Sequence, residues 1–147
     1  MNRKGTAMWD DIPGFLVGTG PTATVLDPDG TPNSILDVLK GGSVRVNFAF
    51  SGGLTGILAD LEFTVTLYAD PVGPAPNVIV GTHLVKNDPG PGYSVTIPIA
   101  ANSLAPDAYR LTTLVTTVIQ RPPPLPPAPV PIAGFVDGPI IQVRPGP

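Results

Sequence analysis

His83 is the only histidine of the chain, so acid–base or nucleophilic chemistry that needs an imidazole has to be built on it. A Ser-His-Asp relay would require a serine and an acid brought beside that ring. Gly81-Thr82-His83-Leu84 holds no nucleophile elbow, and Gly18-Thr19-Gly20-Pro21 lacks the Lys and hydroxyl residue of a phosphate loop. The residues around His83 alternate as a strand, which places the imidazole on the outward face. The acids are ten Asp and a single Glu, Glu62. Asp60 and Glu62 stand two apart, so on a strand they share a face, as a pair of glycosidase carboxylates would. That face is the outer one by the alternation, where carboxylates are ordinarily just solvated.

Asp27-Pro28-Asp29-Gly30 has the acidic spacing that opens a calcium loop, but no Glu follows at the required distance, and the expected structure is a turn. There is no cysteine, which excludes disulfides and thiolate metal sites. The expectation is no catalytic residue, no cofactor and no metal, in a protein that is not an enzyme. Arg121-Pro122-Pro123-Pro124-Leu125-Pro126-Pro127 has the form Arg-x-x-Pro-x-x-Pro, similar to the polyproline ligands of SH3-type domains. It offers a contact for another protein; otherwise residues 121–131 act as a rigid extended spacer between the last two strands.

Composition narrows the partners. Of 147 residues, 42% are hydrophobic and 13% charged, against the ~25% charged of ordinary soluble domains. The net charge of −3 and the scattered basic residues leave no stripe for nucleic acid. No run of 18 apolar residues exists to span a membrane as a helix. Residues 5–12 contain Trp9-Asp10-Asp11 and lack a signal-peptide core, so the chain is expected to be cytoplasmic when made, with later release as part of an assembly left open.

The elements come from periodicity. In residues 43–50, Val44, Val46, Phe48 and Phe50 alternate with Arg45, Asn47 and Ala49, as a half-buried strand requires. Residues 60–69 repeat the pattern with Leu61, Phe63, Val65 and Leu67 inward. Residues 93–99 and 109–118 do the same through Tyr93, Val95, Ile97 and Ile99, and through Tyr109, Leu111, Thr113 and Val115. Pro98 lies outward and cannot donate to a ladder, which marks an edge strand. Residues 22–27, 78–86 and 132–144 complete the set, with Val78, Val80 and Leu84 inward. Residues 34–40 read as a single turn or a short crossing segment. The 21 Pro and 17 Gly punctuate these runs.

Between two of these strands, a stretch with the turn residues Asn102, Ser103, Pro106 and Asp107 runs into a strand at Tyr109, and Leu104, Pro106 and Tyr109 stand at Leu-x-Pro-x-x-Tyr spacing. This stretch resembles the tyrosine corner of immunoglobulin-like and fibronectin type III-like sandwiches, where a Tyr at the start of a strand returns its hydroxyl to the backbone just upstream. The chain departs from the immunoglobulin pattern in having no Cys pair and its only Trp at position 9. The resemblance implies an all-β fold: an immunoglobulin-like antiparallel β-sandwich of seven to eight strands. An extended N-terminal arm, residues 1–21, precedes the sandwich domain, residues 22–147, which includes the Pro-rich loop 121–131.

The arm holds Trp9, Ile12, Phe15, Leu16 and Val17 without a period of its own, so these side chains need a surface to cover. With a weakly charged, Thr-covered sheet, the expected function is a non-enzymatic structural subunit. It would assemble with copies of itself into a filament, shell or phage-like particle through the arm and the sheet edges. The alternative is a carbohydrate- or protein-binding module presenting sandwich loops.

Overall fold

The computed structural model describes residues 6–10, 16–53, 55–86 and 88–146. Among them the chain forms nine strands: β1 (Thr6–Asp10), β2 (Val17–Leu26), β3 (Ile35–Asp37), β4 (Gly42–Ser51), β5 (Leu61–Pro71), β6 (Val78–Lys86), β7 (Gly92–Ile99), β8 (Asp107–Ile119) and β9 (Ala128–Arg144). The fold is all-β, in two sheets whose long pairings are antiparallel. A six-stranded sheet has the order β1-β9-β8-β5-β6 with β3 also on β9, and a three-stranded sheet has the order β2-β4-β7.

The strands form where the alternation demands. Val44, Val46, Phe48 and Phe50 of β4 and Tyr93, Val95, Ile97 and Ile99 of β7 are buried. They face Leu61, Phe63, Val65 and Leu67 of β5 and Tyr109, Leu111 and Val115 of β8 from the other sheet. Each such aliphatic or aromatic side chain gains about 1.5–3 kcal/mol from full burial. This apolar layer is what holds the two sheets together.

The count exceeds the seven to eight strands expected because β1 and β3 carry no readable alternation. Both exist by docking on β9. β1 pairs antiparallel with residues 133–137 of β9, and β3 pairs parallel with Gln142, Val143 and Arg144. β2 runs through position 21, where the arm was expected to end, because Thr22, Ala23 and Val25 continue the pairing with β4 that Val17 opens.

Two further expectations are corrected. In β6, Val78 and Leu84 are 38% and 55% exposed, and Val80 and Val85 are the residues that pack on the core. The register slips between Leu67 and Tyr68, so the simple alternation is broken at Val80. His83 pairs with Val65, on the inner side of the sheet, yet stays exposed because β6 lies at the edge. The Pro-rich segment is a turn and not an extended spacer. Leu125 N–H donates to the Pro122 carbonyl at 3.1 Å, and strand pairing resumes at Ile119↔Ala128.

The connection from β7 to β8 is pinned by hydrogen bonds. Ser103 Oγ donates to the Ala100 carbonyl at 2.6 Å, and Asn102 N–H to the Val38 carbonyl at 2.7 Å. Asn102 takes a φ of 62°, which Asn tolerates better than most residues. Leu104 is buried, Pro106 is exposed, and Tyr109 is 4% exposed with its hydroxyl donating to the Ala105 carbonyl at 2.6 Å.

Inside the core, Thr113 and Thr117 are buried, and neither hydroxyl has a hydrogen-bond partner among the described residues. An unpaired buried hydroxyl costs about 1–3 kcal/mol. Thr113→Val keeps the branched shape and removes that cost, so it is expected to stabilise the fold by about 1 kcal/mol. Urea unfolding checks this; a midpoint below that of the parent would show that the hydroxyl is satisfied in solution.

Candidate functional site

Trp9 lies where the two sheets open. Its ring rests on two glycines, one from each sheet: a Cβ built on Gly18 of β2 would come within 2.5 Å of the indole, and one on Gly134 of β9 within 2.7 Å. The indole also makes an edge contact with Phe50 at 4.9 Å and a tilted one with Phe48 at 5.8 Å. Its Nε1 is buried without a hydrogen-bond partner among the described residues. Leu16 is fully buried, and Val17 is half-buried at the start of β2, opposite Ser51. Ile12 and Phe15 lie outside the described residues. Of the five apolar residues of the N-terminal segment, the structure thus brings Trp9 and Leu16 onto the core of their own chain.

The ring cluster under Trp9 joins both sheets. Phe48 stacks on Tyr93 at 5.0 Å and Phe50 on Phe63 at 5.4 Å. The Tyr93 hydroxyl donates to the Asp88 carbonyl at 3.0 Å. Burial, with the Asp88 carboxylate adding to it, pushes the Tyr93 phenol up to about 12. Tyr109 is raised as well, by burial and then by Asp107.

The residues singled out for chemistry do not converge. His83 makes no hydrogen bond or ion pair among the described residues. Asp60 does not share a strand face with Glu62, because it ends the 3-10 turn at Thr55–Asp60 that precedes β5. Glu62 Oε2 accepts from Gln120 Nε2 at 2.6 Å and lies 3.8 Å from Lys86 Nζ. Asp27 Oδ1 accepts from the backbone N–H of Asp29 and of Thr31, both at 3.0 Å, which makes the Asp27–Gly30 stretch a turn held by its own side chain. Among the described residues, no three His, Asp or Glu side chains group as a metal site would need. Arg121 Nε donates to the Pro126 carbonyl at 2.7 Å, so the loop holds its own guanidinium.

What the sequence reading did not mark is the pair of edges of the larger sheet. β1 ends one side and β6 the other, each paired to a single neighbour. The outer face between them carries rows that cross the whole sheet: Asp10, Ala133, Thr116, Thr64 and Leu84 in one, and Met8, Phe135, Leu114, Thr66 and Thr82 in the next. Met8 and Leu84, at the two ends, are each 55% exposed, and Ile79 and Ile140 are 64% and 59% exposed. The signal available in the sequence was the scarcity of charge in residues 78–86, where Lys86 is the only charged residue. On the outer face of the smaller sheet, Thr19, Thr22, Asn47 and Ser94 line a shallow depression of about 420 Å³.

Comparison of the chain with protein families, with curated protein sequences and with solved structures found no match.

Two outcomes follow from the ring cluster. Gly134→Ala places a methyl where the indole lies, so it is expected to displace the only Trp and to cost about 1–3 kcal/mol, as overpacking does. Emission from Trp9 should shift to the red; unchanged emission and stability would place the ring elsewhere. The raised phenol pKa values favour the folded state while both phenols stay protonated. Stability is therefore expected to be insensitive to these groups below pH 10 and to fall as pH climbs from 10 toward about 12. Tyr93→Phe should flatten that alkaline fall in a series of denaturation midpoints.

Proposed function

We propose that this protein is a non-enzymatic structural subunit that assembles with copies of itself through the edges of its larger sheet, its N-terminal strand forming one of them. The observation that carries this reading is the pair of edges of one sheet, β1 and β6, with exposed Met8 on one and exposed Val78, Ile79 and Leu84 on the other. An edge strand presents unpaired N–H and C=O groups, and proteins that stay single guard such edges with charge, Pro or cover. Here β6 has Lys86 as its one charged residue. The dispersed placement of His83, Asp60 and Glu62 supports the non-enzymatic part.

We also read the sandwich as immunoglobulin-like in its finer topology. The order β2-β4-β7 corresponds to strands A, B and E of that fold, and β9-β8-β5 to G, F and C, with β6 in the place of C′. In the same scheme Tyr109 stands near the start of strand F and bonds back to Ala105, as a tyrosine corner does. The second reading, a module that binds a carbohydrate or a protein, has one observation in its favour: the depression bounded by Thr19, Thr22, Asn47 and Ser94.

Light scattering on a size-exclusion column, together with negative-stain microscopy, tests the assembly. Particles well above the 15.1 kDa of one chain, growing with concentration, are expected. A single species of one chain at every concentration would overturn the self-assembly reading and leave the binding module.

A further inference from the structure

The self-assembly reading leaves open which surfaces meet, and the strand directions narrow this. β1 is antiparallel to β9, β9 to β8, β8 to β5 and β5 to β6. Four reversals make β1 and β6 point the same way. A second copy displaced along the sheet, with the sheet's own twist, therefore brings its β1 parallel to the free edge of β6. The rows that cross the sheet continue into that copy. Asp10 arrives beside Leu84, and Met8 beside Thr82.

The two edges are complementary in charge. The register slip at Leu67/Tyr68 disturbs β6 near Val80, but residues 82–86 pair regularly with residues 62–66 of β5. With Asp10 beside Leu84, the five residues of β1 lie along residues 80–84, of which 82–84 keep this regular pairing. Lys86 is the one charged residue of β6, and Asp10 is the one charged residue of β1. Both belong to the outer face and to the same end of the sheet, one row apart. Lys86 is only loosely held in its own chain: its Nζ stands 3.8 Å from a Glu62 oxygen that Gln120 already occupies, and its side chain is 57% exposed. Asp10 is exposed and has no hydrogen bond or ion pair among the described residues.

We infer that β1 of a second copy adds to β6 as a parallel strand, with the Asp10 carboxylate of that copy on the Lys86 ammonium and with Met8 and Leu84 covered at the joint. The proposal rests on the self-assembly reading and names its contact. Because β1 and β6 are different surfaces, the joint is head-to-tail: it propagates as a filament, or closes as a ring if the rotation per copy divides a full turn.

Charge reversal on the full chain tests it. Asp10→Lys and Lys86→Glu are each expected to weaken association roughly three- to tenfold in sedimentation velocity at low salt, as reversed pairs at an exposed contact do. The double variant Asp10→Lys/Lys86→Glu should recover most of the loss, and so should an equal mixture of the two single variants, because both joints between unlike copies pair opposite charges. Circular dichroism checks that each variant is folded. Lys86→Glu also brings like charge to Glu62, so Asp10→Lys, which disturbs no described partner, keeps the test decisive if the other fails to fold. Assembly of the parent chain with unaltered association of Asp10→Lys would overturn this joint and leave self-assembly standing. A parent chain that never associates would overturn both.

Discussion

The stacking of aromatic rings between the sheets is the constraint on which the rest depends. Phe48, Phe50 and Tyr93 come from the smaller sheet and Phe63 from the larger, and their centroids lie 5.0 to 6.3 Å apart. Rings at that spacing add about 0.5–1.5 kcal/mol per pair to the area they bury. They also fix how one sheet lies over the other at this end, because each ring has few orientations that avoid the next. Trp9 closes the cluster from above, and only glycines at 18 and 134 leave room for it. The position of β1, and with it one edge of the larger sheet, is thus set from the core outward.

Much of this fold was legible in the sequence, and the reason is the period of two. Val44 to Phe50, Leu61 to Leu67, Tyr93 to Ile99 and Tyr109 to Val115 alternate cleanly, and those are buried sets of the structure. Legibility ended where local pattern and pairing part company. Ile35–Asp37 is too short to show a period and is a strand because β9 reaches beside it. The facing of β6 was misread because a slip in register is a property of two strands and leaves no mark in one. Asp60 was placed on a strand by counting from Leu61, whereas the chain turns at that residue. The prolines of 122–127 pointed to an extended run, yet the hydrogen bond from Leu125 to Pro122 and the grip of Arg121 on Pro126 close them into a turn.

The N-terminal segment was the hardest part to read, and the structure shows why. Trp9, Leu16 and Val17 have no common period because they serve different elements. Trp9 pairs opposite Gly134 in the larger sheet, while Val17 pairs opposite Ser51 in the smaller one. β1 belongs to the larger sheet and β2 to the smaller, and Trp9 and Leu16 both reach the shared core, so no single strand period relates them. Composition still marked these residues as needing cover, which is the part of the reasoning that survives without a period.

The four outer edges of the two sheets are not equally open, and the difference gives the proposed assembly its direction. In the smaller sheet, β7 carries Pro98, which cannot donate to a ladder. β2 is irregular between Thr19 and Thr22, where its pairing with β4 shifts. Both features blunt an edge against further pairing. In the larger sheet, β6 is irregular only in its first half, and β1 is regular along its five paired residues. Growth by strand addition, as proposed, would therefore favour the larger sheet, along its own plane, with the smaller sheet carried on one side. The outer face of the larger sheet would then run on from copy to copy as one surface rich in Thr64, Thr66, Thr112 and Thr116. Threonine suits that surface, since its branched side chain favours the extended backbone while its hydroxyl keeps the face wet. Under that proposal the low charge of this chain would have a physical reason: repeated copies side by side would bring like charges on such a face into register, and hydroxyls avoid that repulsion.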